Sequence, residues 1–331
     1  MKFSDRTLTG HALISCAAVA MLAGCGGSQP PIGAPGVVPQ TSAIATHAER
    51  GKSWTSGSRG ALLYLSNFHR DSVDIYSYPD LREVGTLVPS GSVTSMCSDR
   101  SGNVWVGTIN DGNGTLTEYA HGSKKPIATL LLPGADPLEC DVDQSGDLAV
   151  AQSANSVSVY QNEKGSPQTF EDESIGEIYA LTYDTKGNLF IYGTQLESSG
   201  YPLLGELPSG GSAFSNQEFD EKIQLLTFAQ WHEKSILLGG ITKRTKGRWT
   251  ETVWTAAVSG SGLKIADAKT FDAPSKHRGI GRSALLQGNT LIQQDWSGNT
   301  IWLFSYTAGG APSKMLRNSH GSHVTALTVS E

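Results

Sequence analysis

Val93-Thr94-Ser95-Met96-Cys97-Ser98-Asp99-Arg100-Ser101-Gly102-Asn103-Val104-Trp105-Val106-Gly107 joins two short apolar runs through a turn that ends in Gly-Asn. Glycine supplies the positive φ that such a tight connection demands, and the Asp at its head accepts hydrogen bonds from the turn amides. The same unit recurs as Leu138 to Val142, Asp143-Gln144-Ser145-Gly146-Asp147, Leu148 to Val150. A third copy runs Ile178 to Tyr183, Asp184-Thr185-Lys186-Gly187-Asn188, Leu189 to Ile191. Looser copies link Ile223–Phe228 to Ile236–Leu238, and Gln287-Gly288-Asn289 to Leu291-Ile292.

The second runs begin near residues 103, 147, 188, 235 and 289, a spacing of about 45 residues. After each pair comes a third run in which β-branched or aromatic residues alternate with polar ones: Ser72–Tyr76, Thr115–Tyr119, Ser156–Tyr160 and Thr300–Phe304. Such alternation predicts half-buried strands. A fourth, weaker run precedes the next unit, as at Ile127–Leu131 and Ala266–Phe271. Four strands at a period near 45 read as one blade of a β-propeller.

The two ends fit each other. Gly60-Ala61-Leu62-Leu63-Tyr64-Leu65 matches a second strand without a first, and His323-Val324-Thr325-Ala326-Leu327-Thr328-Val329 matches a first strand without a second. Pairing the last strand with the first removes two open sheet edges. The reading is an all-β, six-bladed β-propeller over residues 60–331, with four antiparallel strands per blade. A β-sandwich with long loops explains neither the period nor the matched ends.

The N-terminal segment reads as an address. Lys2 and Arg6 precede an apolar stretch, Ala12 to Ala23, that is too short for the ~20 residues a membrane span requires. It ends in Leu22-Ala23-Gly24-Cys25, which resembles the bacterial lipoprotein signal, where cleavage before a lipidated cysteine follows its diacylation. Residues 1–24 are thus expected to be a signal peptide, and Cys25 the lipidation site. Residues 25–59, rich in Gly, Pro, Ser and Ala, are expected to be a flexible tether. The resemblance implies palmitate, anchoring to a membrane without spanning it, and an extracytoplasmic cell-envelope location. Gly26 stands where an Asp would retain such a protein at the inner membrane, so the outer membrane is implied if the source has two membranes.

The chain of 331 residues has 38 Gly, 17% charged residues and a net charge of −6, a composition that excludes disordered and collagen-like chains. It has 25 basic against 31 acidic residues and no basic stripe, which argues against a nucleic-acid partner. The one basic run, Thr242 to Trp249, reads as a solvated loop or hairpin tip.

The repeats resemble bacterial six-bladed propellers of the NHL, streptogramin-lyase and SMP-30 type, and lipoproteins built on such repeats. The Asp-x-x-Gly-Asn turns carry that resemblance and specify fold rather than activity. The expected role is a binding or scaffold module for an envelope protein or other ligand, working as a monomer. The alternative is a metal-dependent hydrolase, lactonase or lyase with its site at the channel mouth. The starts of the innermost strands and the loops feeding them carry Asp136, Glu139, Glu177, Asp220, Glu221, His277, Arg278, Arg282, His320 and His323. Such carboxylates could hold a divalent cation and polarise an ester, with a His as general base. SMP-30 lactonases do this in outline with a Glu, an Asn and an Asp, but their motif cannot be matched here residue by residue. No zinc motif accompanies His320-x-x-His323.

Asp141 to Asp147 imitates the first half of a calcium loop, yet its twelfth position is Gln152 where a bidentate Glu is required. Trp105, Trp231, Trp249, Trp254, Trp296 and Trp302 are expected to pack between sheets rather than to stack on sugars. Cys97 and Cys140 remain once Cys16 and Cys25 are set aside. Counting back from the turn Asp puts them two and three residues away, on opposite sheet faces unless the turn absorbs one residue. A disulfide and two buried thiols both stay open.

Overall fold

The computed structural model describes residues 60–132, 134–153, 155–196, 201–218, 225–245, 248–259, 262–272, 280–295, 300–317 and 323–331, without the side chains of 225, 242–245, 248–250, 259 and 280–282. They form six four-stranded antiparallel sheets. Blade 1 is closed from both ends of the domain: β1 (Leu62–Asn67), β2 (Ser72–Ser77) and β3 (Glu83–Leu87) are joined on the inner side by β24 (Leu327–Ser330), with Leu62 opposite Ser330 and Leu65 opposite Leu327. Blade 2 comprises β4 (Ser92–Ser98), β5 (Val104–Asn110), β6 (Asn113–Tyr119) and β7 (Pro126–Leu132). Blade 3 comprises β8 (Pro137–Val142), β9 (Leu148–Gln152), β10 (Ser156–Tyr160) and β11 (Gln168–Glu171). Blade 4 follows with β12 (Ile175–Tyr183), β13 (Leu189–Gln195), β14 (Pro202–Leu207) and β15 (Ser215–Glu218). Blade 5 has β16 (Leu225–His232) and three long strands, β17 (Ser235–Thr245), β18 (Arg248–Ser259) and β19 (Gly262–Asp272), so the basic run spans the β17–β18 hairpin. Blade 6 has β20 (Ile280–Gln287), β21 (Thr290–Asp295), β22 (Thr300–Ser305) and β23 (Lys314–Arg317). Among the described residues no helix is long and apolar enough to cross a membrane.

The three Asp-headed turns share one geometry. The amides of Asp99, Asp143 and Asp184 donate to the carbonyls of Asn103, Asp147 and Asn188 at 2.9–3.0 Å. Each Asp Oδ1 accepts the amide four residues on, at 2.7–2.9 Å. Gly102, Gly146 and Gly187 hold φ of +78°, +90° and +81°, which only glycine adopts without strain.

The hydrophobic core is divided into six clusters, one in each crevice between neighbouring blades. Strand period two explains the division: in β1, Leu62 and Tyr64 face blade 2, whereas Leu63 and Leu65 face blade 6. In β2 both faces are buried, which corrects the half-buried reading there, whereas β6 keeps the alternation, with Thr115 and Thr117 partly exposed between buried Gly114, Leu116 and Glu118. Residues 72 to 76 of β2 are all buried, including Asp74, whose carboxylate accepts from Asn67 Nδ2 at 3.0 Å. A buried polar group in a blade survives by finding a partner within the sheet stack.

The innermost strands β4, β8, β12, β16, β20 and β24 contact one another in a closed ring. Side chains tie each one to the next. Thr94 Oγ1 donates to the Pro137 carbonyl (2.6 Å), Asp141 Oδ2 accepts the Tyr183 amide (2.8 Å), and Thr182 Oγ1 accepts the Trp231 amide (3.0 Å). Gln230 bonds both the amide and the carbonyl of Leu286, Ser283 Oγ donates to the Thr325 carbonyl, and Thr325 Oγ1 donates to the Val93 carbonyl. Neighbouring inner strands, between which no backbone ladder forms, are thus linked through side chains.

Cys97 and Cys140 are joined as a disulfide with Cα atoms 5.6 Å apart, bridging the inner strands of blades 2 and 3. The parity argument that seemed to separate them is what brings them together. Stacked blades meet by opposite faces, so neighbouring inner strands must offer positions of opposite parity, and both cysteines lie in the cluster between these two blades.

Candidate functional site

The inner strands converge on a cavity of about 370 Å³ at their C-terminal ends, where each turns into the second strand of its blade. Blade 2 contributes Arg100 and the disulfide; blade 3, Glu139, Asp141 and Asp143; blade 4, Leu181, Tyr183 and Asp184; blade 5, Gln230 and Trp231. Among these lining residues three aspartates outnumber the one arginine at the mouth. A narrower cavity of about 50 Å³ continues up the channel and shares Glu139, Met96, Leu181, Ala229, Ala284 and Leu327 with the first.

Several of the polar groups at the mouth are already engaged. Asp141 accepts from the Val142 and Tyr183 amides and from Thr182 Oγ1. Burial raises its carboxyl to about 6 against the pull of those three bonds. Asp143 accepts from Ser145 and Asp147 within its own turn. Burial, reinforced by Asp143 and Asp141, pushes the Tyr183 phenol upward. Glu139 is different: burial alone raises its carboxyl to about 8, so it is largely protonated at neutral pH.

The residues singled out from the sequence divide. Cys25, Asp220, Glu221, His277, Arg278 and His320 lie outside the described residues, and Arg282 stands on β20 with its side chain outside them. Asp136, Glu177 and His323 sit at or before the starts of inner strands, the end of the channel opposite the larger cavity. Glu177 accepts from the Tyr179 hydroxyl at 2.5 Å, and the His323 ring meets that of His69 at 5.5 Å. Of the described channel-mouth candidates only Glu139 lines the cavity, beside the Cys97–Cys140 disulfide. Among the described residues one trio could hold a metal ion, Asp99, Glu118 and Glu163, and it contains none of the sequence candidates. Asn103 Nδ2 bonds both Asp99 and Glu118, at 2.9 and 2.8 Å. Burial and then the charge of Asp99 raise both Glu118 and Glu163 to about 7, Glu118 adding to the effect on Glu163.

Sequence reasoning met Asp141 only as the head of an imitation calcium loop, and it missed the rest of the lower mouth because Thr182, Tyr183 and Gln230 look like ordinary strand ends. Their signal was position: each stands just before the turn that ends an inner strand. Trp105, Trp254 and Trp302 are buried between sheets, while Trp231 stacks on Phe190 (5.8 Å, 12° between planes) and lines the cavity.

Comparison with known proteins follows this geometry. The family model described as "Two component regulator propeller" matches residues 88–110, which span β4, its turn and β5. No curated protein matches the chain significantly. Solved structures share the fold at low identity. A protein of unknown function from Bacteroides caccae has TM-score 0.57 at 9% identity, covering 82% of this chain and 99% of that one. Hydrazine synthase of Kuenenia stuttgartiensis has TM-score 0.53 at 12% identity, covering 72% of each chain. The Cps50 (Swd1) β-propeller domain of Myceliophteria thermophila has TM-score 0.52 at 12% identity, covering 77% and 86%. These likenesses establish a propeller and leave its activity to the site.

Proposed function

We propose that this protein is a lipid-anchored extracytoplasmic binding module that holds an envelope protein or other ligand at the lower channel mouth. The observation that carries the reading is the cavity of about 370 Å³, assembled from every blade around a ring cross-tied by side chains and one disulfide. A rigid concave seat with few polar groups left unspent suits recognition, because little ordering entropy remains to be lost on binding. Of the carboxylates proposed for a channel metal, Asp136, Glu139 and Glu177 do not come together as a metal-sized group, and Asp220 and Glu221 lie outside the described residues.

On this reading residues 1–24 are removed, Cys25 carries the acyl chains, and residues 26–59 tether the propeller to the outer membrane of a two-membrane cell. The test uses the full chain in a bacterial host, with radiolabelled palmitate and a photo-crosslinking residue at Gln144 on the cavity rim. Expected are palmitate incorporation that Cys25→Ala abolishes, and a discrete crosslinked partner from position 144. An unlabelled wild-type chain overturns the anchor. A rim that crosslinks nothing overturns the envelope-partner reading.

A further inference from the structure

Glu139 stands at the level where the wide cavity and the narrow throat above it join. The throat is otherwise walled by Met96, Ala180, Leu181, Phe228, Ala284 and Leu327, with a few further small or apolar residues. Its two hydroxyls are spent, Thr227 Oγ1 on Glu251 Oε1 and Ser283 Oγ on the Thr325 carbonyl. Among the described residues the Glu139 carboxyl has no hydrogen-bond or ion-pair partner, and it is the one ionisable side chain in the throat. Glu139 is half-buried, and a carboxyl with apolar neighbours is better kept in its charged form once a counter-ion arrives.

The geometry points to a ligand that presents a primary ammonium on an unbranched aliphatic stem, entering by the acidic lower mouth, laying its methylenes against Met96, Leu181 and Leu327, which line both cavity and throat, and seating its charge on Glu139. A hard metal cation fits the place poorly, since it wants six or more oxygens and the throat offers one free carboxylate. The ammonium needs one strong acceptor, and its stem gains from burial. The inference deepens the binding-module reading and rests on it for the site, though not for a protein partner. Among the described side chains the charged and titratable groups nearest the path are Arg100, Asp141, Asp143, Tyr183 and Asp184 at the mouth, and the side chain of Arg282 on β20 lies outside them. Because burial holds Glu139 near 8, the bound complex forms with release of a proton below that pH.

The experiment is calorimetric titration of the purified full-length protein in detergent with n-pentylamine, and separately with a capped peptide whose one lysine stands between glycines. Saturable binding of n-pentylamine is expected, weakened at least tenfold by Glu139→Gln. Each methylene added from ethylamine upward should tighten binding about fourfold. Wild-type affinity should fall about tenfold from pH 9 to pH 7, while the amine stays charged throughout. Binding of the lysine peptide would assign the ammonium to a protein side chain, and its failure beside pentylamine binding to a free amine. Equal binding by Glu139→Gln, or no gain with stem length, overturns the proposal. If that variant does not fold, the wild-type pH and stem-length series decide alone, and a flat response in either refutes it. Capture of a partner from position 144 that persists in Glu139→Gln, with no amine bound, would sink the ammonium site and leave the binding module standing.

Discussion

Glu118→Gln should make the propeller more stable in alkali and leave it unchanged in acid. Glu118 is 7% exposed and shares Asn103 with Asp99 while Glu163 faces them from the next blade. Burial first and the Asp99 charge second lift its carboxyl from 4.5 to about 7. Between those values the folded chain holds a proton that the unfolded chain has lost, so the contribution of Glu118 to stability falls as pH rises from about 4.5 to about 7 and is flat beyond. A difference of that size corresponds to at most about 3.4 kcal/mol, and relaxation of the trio reduces it to about 1–3 kcal/mol. Glutamine keeps the oxygen that accepts from Asn103 and cannot ionise. Urea unfolding at pH 4, 6 and 8 should give a variant equal to wild type at pH 4 and ahead of it by about 1–3 kcal/mol at pH 8. A gain independent of pH, or none at pH 8, would refute the assignment of Glu118 as a carboxyl held neutral by its surroundings.

Replacing Cys97 and Cys140 together by Ala releases a loop whose ends are 43 residues apart, for an expected loss of about 4 kcal/mol, read from urea midpoints. The doubly substituted protein should be indifferent to reductant, whereas wild type should fall to its level when reduced. Gly102→Ala should cost more than Gly112→Ala although the two share a positive φ, +78° and +76°. A Cβ at 102 would stand 2.2 Å from the Glu331 carbonyl oxygen, while one at 112 meets open space. The expected costs are about 2–3 and about 1 kcal/mol, and equal losses would mean that docking of the C-terminus contributes nothing.

The blades were legible because their information is local. An Asp-headed turn, its Gly and the flanking apolar runs sit within fifteen residues, and the repeat places the next copy where the first predicts it. Closure was legible too, since Leu62–Leu65 and Leu327–Val329 each lacked a partner that the other supplies. What escaped depends on contacts between blades. Thr182 bonds Asp141 across 41 residues and Gln230 bonds Leu286 across 56, and no local pattern marks either. Polar residues of the third strands, such as Asp74 and Ser158, looked like a solvent face because alternation cannot tell water from a neighbouring sheet. The cysteine parity was counted correctly and read against the wrong neighbour, since a single strand does not reveal that stacked blades meet by opposite faces.

Blade 1 gives the chain an order of completion. Its inner strand is made of residues 327–330, so β1 presents an open edge and the Leu63, Leu65 and Tyr76 side lacks Val324, Leu327 and Val329 until those residues have been synthesised. Five blades can form in sequence behind the ribosome; the sixth cannot. A chain that stops short of β24 is therefore distinguishable from one that carries it by that single edge, which is where a chaperone or protease would discriminate between them.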